Sequence, residues 1–79
     1  MKVLLFAQCR EAAGRDDFFL EIERPVTESE FWAALVKIFP GLASLQKSAR
    51  LARRETYLEK GGILHPDDEI AVIPPVSGG

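Results

Sequence analysis

Two glycines close the chain, Gly78-Gly79, and the chemistry they suggest belongs to the carboxylate they present. A carboxylate with no side chain beside it can pass down a channel that any larger residue would block, and glycine backbone takes whatever angles a partner's site imposes. Ahead of the glycines stand Pro74-Pro75-Val76-Ser77. The prolines donate no backbone hydrogen bond and hold φ near one value, so they end a strand and launch the remainder stiffly from the body. Six extended residues reach roughly 20 Å. Two terminal glycines alone equally describe a frayed end or a linker. Here, however, Glu69-Ile70-Ala71-Val72-Ile73 reads as a mostly apolar strand running straight into Pro74, which makes the tail part of the last strand. We therefore expect a folded body over residues 1–73 and an extended tail over 74–79.

Elsewhere the chain offers little chemistry. His65 is the only histidine and sits in Leu64-His65-Pro66-Asp67-Asp68-Glu69, a turn pattern leading into the last strand. Asp67, Asp68 and Glu69 lack the spacing of a calcium loop and read as a solvated turn, so no metal is expected. Gly61-Gly62 lacks the Lys-Ser/Thr of a phosphate-binding loop and Gly14 stands alone, which leaves no nucleotide site. Cys9 would need a base beside it to act as a nucleophile and reads instead as a small packed residue. The free chain is expected to catalyse nothing by itself. Lys47, Arg50, Arg53 and Arg54 form a short basic cluster, either a solvated edge that discourages aggregation or a docking patch for an acidic surface.

Seventy-nine residues, 47% apolar and 28% charged, make one globular domain rather than a disordered segment. So small a domain has little core to spare for a deep cleft, which favours a carrier or binding module over an enzyme. Ten basic against twelve acidic residues leave a net charge of −2 and no footprint of a nucleic-acid binder. One cysteine excludes an internal disulfide framework and fits a reducing cytoplasm. No apolar run approaches the roughly 20 residues of a membrane span, and the Met1–Ala7 segment turns polar too soon for a signal peptide.

The elements that must position the tail follow from periodicity. Val3 to Gln8 is apolar on both faces at first, which predicts a central strand with Val3, Leu5 and Ala7 on one face and Leu4 and Phe6 on the other. Arg10 to Asp17 reads as a loop and Phe18 to Glu23 as a second strand, antiparallel to the first. Thr27-Glu28-Ser29-Glu30 carries the capping-box pattern, with Val26 and Phe31 placed as a hydrophobic staple, so a helix should start at about Glu28. Phe31, Leu35 and Ile38, flanked by Trp32 and Phe39, form its apolar stripe, and Pro40-Gly41 ends it. A short helical turn within Leu42–Ser48, strands near Arg50–Arg53 and Thr56–Leu58, and a turn at Gly61-Gly62 complete the pattern.

The opening Val3-Leu4-Leu5-Phe6-Ala7-Gln8 with Arg10-Glu11 and Gly14, and the closing Asp68 to Gly79, resemble the small subunit of molybdopterin synthase, the MoaD family. The resemblance spans essentially the whole chain. It departs at Arg53-Arg54-Glu55, where members commonly carry an Asn, and at Asp67-Asp68, where Gly-Asp is common. It implies an α+β, ubiquitin-like β-grasp: a mixed sheet curled over one main helix, with first and last strands adjacent. Phe6 and Ile73 would then be neighbours on the sheet face away from the helix, forming a partner-docking surface. It further implies that an ATP-dependent activating enzyme adenylates Gly79 and that a sulfur donor protein converts it to a thiocarboxylate. The tail would then insert into a larger synthase subunit, where the sulfur passes to a cyclic pyranopterin monophosphate. Gly79 would be the reacting position, Gly78 would give clearance, and Pro74, Pro75, Val76 and Ser77 would occupy the channel. The resemblance implies no cofactor bound by this chain, ATP being used by the activating partner. Two alternatives stay open: a β-grasp sulfur carrier for thiamine, cysteine or tRNA thiolation, and a ubiquitin-like protein modifier or binding domain.

Overall fold

The computed structural model describes residues 1–59 and 61–75. Strand β1 (Lys2–Leu5) leads into helix α1 (Ala7–Ala13), then β2 (Asp17–Phe19), β3 (Val26–Thr27) and helix α2 (Glu28–Ile38). A 3-10 helix (Pro40–Leu45) follows, then β4 (Arg50–Arg53), β5 (Thr56–Tyr57), β6 (Ile63–Leu64) and β7 (Glu69–Ile73). Five strands form one mixed sheet in the order β2-β1-β7-β4-β5, and β3 pairs with β6 in a small second ladder. Within the main sheet β1 and β7 run parallel, and every other pairing is antiparallel. First and last strands are thus neighbours at the centre, as expected.

Alternation divides the main sheet into two faces. Val3 and Leu5 on β1, Ile70 and Val72 on β7 and Leu51 on β4 are all buried, and α2 covers that side with Phe31, Trp32 and Leu35. Helix α2 begins where its capping box places it. The Thr27 hydroxyl accepts the Glu30 N–H at 3.1 Å, and Glu30 Oε1 accepts the Thr27 N–H at 2.9 Å. Two donors that a helix start leaves without partners are thereby satisfied. Val26 and Phe31, the expected staple pair, both belong to the core cluster.

Three expectations are corrected. First, the opening strand stops at Leu5 and residues 7–13 are helical rather than strand and loop. Ala7 takes φ of +46°, which breaks the extended run, and Gln8, Glu11, Ala12 and Ala13 are adequate helix formers. Gly14, at φ +78°, closes α1 by donating its N–H to the Arg10 carbonyl at 2.8 Å, a left-handed cap that favours glycine. Ala7 is therefore exposed, and Cys9 on α1 is buried in the core instead. Second, β2 covers Asp17–Phe19 rather than residues 18–23, although Leu20 and Met1 still exchange backbone hydrogen bonds at 2.8 and 3.0 Å. Third, Ile38 is 51% exposed. Burial of both Phe31 and Trp32 centres the buried arc of α2 between them and leaves Ile38 on its flank at the helix end. Phe39, just beyond, packs edge-on against Phe18 with ring centroids 4.9 Å apart.

Strand β7 ends at Ile73, immediately before the two prolines. Pro74 is buried and Pro75 exposed. Val76, Ser77, Gly78 and Gly79 lie outside the described residues.

Candidate functional site

The sheet face away from α2 carries the site. Strand register builds it row by row. Leu4 on β1 is the Cα partner of Ala71 on β7, and Ala71 is in turn the partner of Ala52 on β4. Two methyl side chains opposite each other leave a depression in a surface otherwise made of larger residues. One step along, Leu5 pairs with Val72, so Phe6, still extended at φ −119° and ψ 150°, falls level with Ile73. The result is a concavity of about 320 Å³ with an alanine floor, apolar walls from Leu4, Phe6 and Ile73, and a charged rim from Arg54, Glu55 and Glu69. Phe6 is 46% exposed, more than a core aromatic in a small domain would be.

Phe6 and Ile73 are thus brought together on the outer face. Pro74 and Pro75 follow Ile73 directly in the chain. The tail positions expected to react or thread, Val76 to Gly79, are outside the described residues. Ala52 and Ala71, which shape the floor, were not singled out from sequence, whereas Arg54 was named there in the basic cluster as a candidate docking patch, Glu55 in a departure from the family pattern and Glu69 in an acidic turn, none of them as part of this hollow. The alternation of β7 carried the signal for two of them, because Glu69, Ala71 and Ile73 share one face.

The basic cluster separates in three dimensions. Arg50 lies with its guanidinium carbon 3.9 Å above the Tyr57 ring, a cation–π contact along the sheet edge. Arg53 points the other way: its Nη1 donates to the Ile63 carbonyl at 2.9 Å and to Asp68 Oδ2 at 2.8 Å. The same Asp68 oxygen accepts the His65 backbone N–H at 2.8 Å. Burial pushes the Asp68 carboxyl up, but the His65 N–H, the Arg53 hydrogen bond and its charge together hold it below the ordinary carboxylate value. Asp68 is therefore a structural clamp between β4 and the entry to β7, and the exposed His65 contributes its backbone to that turn. Arg54 makes no ion pair among the described residues and stands on the rim of the concavity.

Burial raises the Cys9 thiol above its usual value, which disfavours the thiolate a nucleophile needs. Among the described residues no group of three or more His, Cys, Asp or Glu side chains is placed to hold a metal ion. No described helix is long and apolar enough to cross a membrane. What the arrangement can do is dock: an apolar hollow lies beside the end of β7, where Pro74 and Pro75 follow.

Comparison with known proteins agrees with this geometry. A molybdopterin synthase sulfur carrier subunit from Arabidopsis thaliana is 39% identical over 79 residues, covering 100% of this chain and 82% of that protein. Among solved structures, SAMP1 of Haloferax volcanii, a small archaeal modifier protein, superposes with a TM-score of 0.83 at 28% identity over 100% of this chain and 98% of that one. A chain in the complex of subunits 1 and 2 of the molybdopterin-converting factor from Helicobacter pylori gives a TM-score of 0.67 at 22% identity, covering 99% and 96%, and shows the shared fold. The architecture is the α+β, ubiquitin-like β-grasp. Residues 3–79 match the ThiS family, and with the full-length likeness to sulfur carrier subunits the chain belongs to that family.

Proposed function

We propose that this protein is a sulfur carrier of molybdopterin biosynthesis, with the Gly79 carboxylate as the group that is charged. The observation that carries this reading is the path of β7. It runs through the centre of the sheet, lines the docking concavity with Ala71 and Ile73, and passes into Pro74-Pro75 and the closing Val76-Ser77-Gly78-Gly79. A body that binds and a tail that reaches are joined in one strand.

The chemistry follows from the weakness of a carboxylate as an acyl donor. An ATP-dependent activating enzyme joins the Gly79 carboxylate to AMP with loss of pyrophosphate. A sulfur nucleophile at the sulfide level then displaces AMP and leaves a thiocarboxylate. In the larger synthase subunit that sulfur attacks the pterin precursor, and water cleaves the acyl–sulfur bond to restore the carboxylate. A dithiolene holds two sulfurs and each Gly79 carries one, so two charged copies serve each product. Docking on the concavity holds the tail at high effective concentration in the partner's site. The chain itself supplies reach, clearance and docking; acid–base groups come from the larger subunit, and ATP belongs to the activating enzyme. The buried Cys9 thiol and the absence of any second cysteine fit a reducing, cytoplasmic setting.

The test is single-turnover transfer. Charged protein mixed with the larger subunit and the cyclic pyranopterin precursor should return to the carboxylate form as sulfur is incorporated. A charged protein that stays charged under those conditions, while reacting with another acceptor, would move it to a different thiolation pathway. The likeness to a small archaeal modifier protein favours one second reading, a modifier whose Gly79 forms isopeptide bonds with lysines. Lysine conjugates recovered from cells would support that fate.

A further inference from the structure

Helix α2 opens with backbone N–H groups, from Thr27 to Glu30, that no helical carbonyl receives. The capping box takes two of them, since Glu30 Oε1 accepts from Thr27 and the Thr27 hydroxyl accepts from Glu30. Those of Glu28 and Ser29 have no partner among the described residues. Both residues line a pocket of about 500 Å³, together with Trp32, Gln46 and Lys47. A second observation, independent of the helix end, falls at the same place. Trp32 is 1% exposed, and its indole Nε1 is the one buried side-chain nitrogen or oxygen without a hydrogen-bond partner among the described residues. Trp32 stands four residues after Glu28 and three after Ser29, and a helical side chain leans toward the helix N-terminus over that preceding turn. On its core side the ring meets Phe31 edge-on at 6.1 Å, and no buried polar side chain there could accept from it. The pocket is where the indole N–H meets an acceptor.

We propose that this pocket binds a small free monocarboxylate, held by the Trp32 indole N–H, the Glu28 and Ser29 backbone N–H groups and the Lys47 ammonium. All of these groups donate and none accepts, so the ligand presents an oxygen acceptor, and the two oxygens of a carboxylate accept from several directions at once. The positive end of the α2 dipole favours an anion at the same place. Lys47 makes no ion pair among the described residues and adds one positive charge to the lining. Glu28 brings one negative charge to it. The two offset each other, which leaves the helix end to hold a single anionic charge and sets Glu28 against the second charge of a phosphate. The pocket shares no residue with the outer-face concavity and does not depend on the sulfur-carrier reading.

Trp32 is the only tryptophan, so its indole N–H gives one nitrogen–proton NMR correlation that reports this site alone. The labelled full-length protein is titrated with sodium acetate at neutral pH and constant ionic strength, sodium chloride making up the balance. The indole signal and the Glu28 and Ser29 amide signals should move together along one saturable curve. Inorganic phosphate should bind about threefold or more weakly than acetate. K47Q should weaken acetate about threefold, and E28Q should remove the preference for acetate over phosphate. Neither substitution enters the core cluster. W32F, which keeps a ring and loses the N–H, should weaken acetate about tenfold as read at Glu28 and Ser29. An indole signal that stays still while Glu28 and Ser29 move means an adventitious ion only and overturns the proposal. Phosphate bound as tightly as acetate overturns it too, as does acetate affinity unchanged in K47Q. An indole signal that moves with protein concentration in the absence of acetate assigns the pocket to a carboxylate on a second copy and overturns the free ligand.

Discussion

Asp68→Asn should lower the melting temperature at pH 7 and leave the fold intact. Asp68 Oδ2 receives the Arg53 guanidinium and the His65 N–H, both at 2.8 Å. The substitution keeps an oxygen for the backbone donor but removes the charge that Arg53 faces. A hydrogen bond to a charged group contributes about 1.5–3 kcal/mol. Side-chain exposures of 32% for Arg53 and 19% for Asp68 place the pair partly in solvent, and screening brings the expected loss to about 1–2 kcal/mol. For a domain of this size that is about 4–15 °C. The pH dependence fixes the mechanism. Asp68 is held below its unfolded value, so its contribution is fully present above the unfolded carboxylate pKa of about 4. It is lost as pH falls through the depressed folded value. The gap between wild type and variant should therefore be constant from neutral pH down to about pH 5 and close below about pH 4. Thermal melts followed by circular dichroism across that range read it directly. A variant that melts with wild type at pH 7, or a gap that widens on acidification, would refute the clamp.

Three other outcomes are expected. Deleting Gly79, or adding one residue after it, should abolish charging with sulfur and leave the melting temperature unchanged, because among the described residues the last buried one is Pro74, five positions before the end; a large destabilisation would contradict this. Ile73→Asp should weaken binding to the larger subunit by about tenfold or more with little loss of stability, since it sets an unpaired charge into an apolar contact; calorimetric titration checks it. Thr27→Ala should destabilise the protein by about 0.5–2 kcal/mol through loss of the α2 cap, measurable by urea unfolding, with sulfur transfer per folded molecule unaltered.

The parts of the fold that were legible are those with local signatures. The capping box of Thr27 and Glu30 states a helix start in four residues, and the alternation of Glu69 to Ile73 states a strand. The end of β7 at Ile73 was legible because Pro74 and Pro75 withhold backbone donors regardless of tertiary context. Helix α1 was not legible because the apolar run from Val3 continues to Ala7, and only the left-handed turn at Ala7 ends the strand. Strands β3 and β6 hold two residues each and are fixed by pairing with one another, which gives periodicity nothing to report. The partnership of Arg53 with Asp68, fifteen residues apart, depends on β4 and β7 being neighbours. The concavity followed the same rule: Phe6 and Ile73 were named through the expected adjacency of the first and last strands. Its alanine floor needed the register.

The most direct measurement is intact-protein mass spectrometry after incubation with ATP, the activating enzyme and a sulfide source, followed by fragmentation of the C-terminal peptide. We expect a gain of about 16 Da, one oxygen replaced by sulfur, located at Gly79. No gain, with the activating enzyme shown to charge a known substrate, would contradict the sulfur-carrier function.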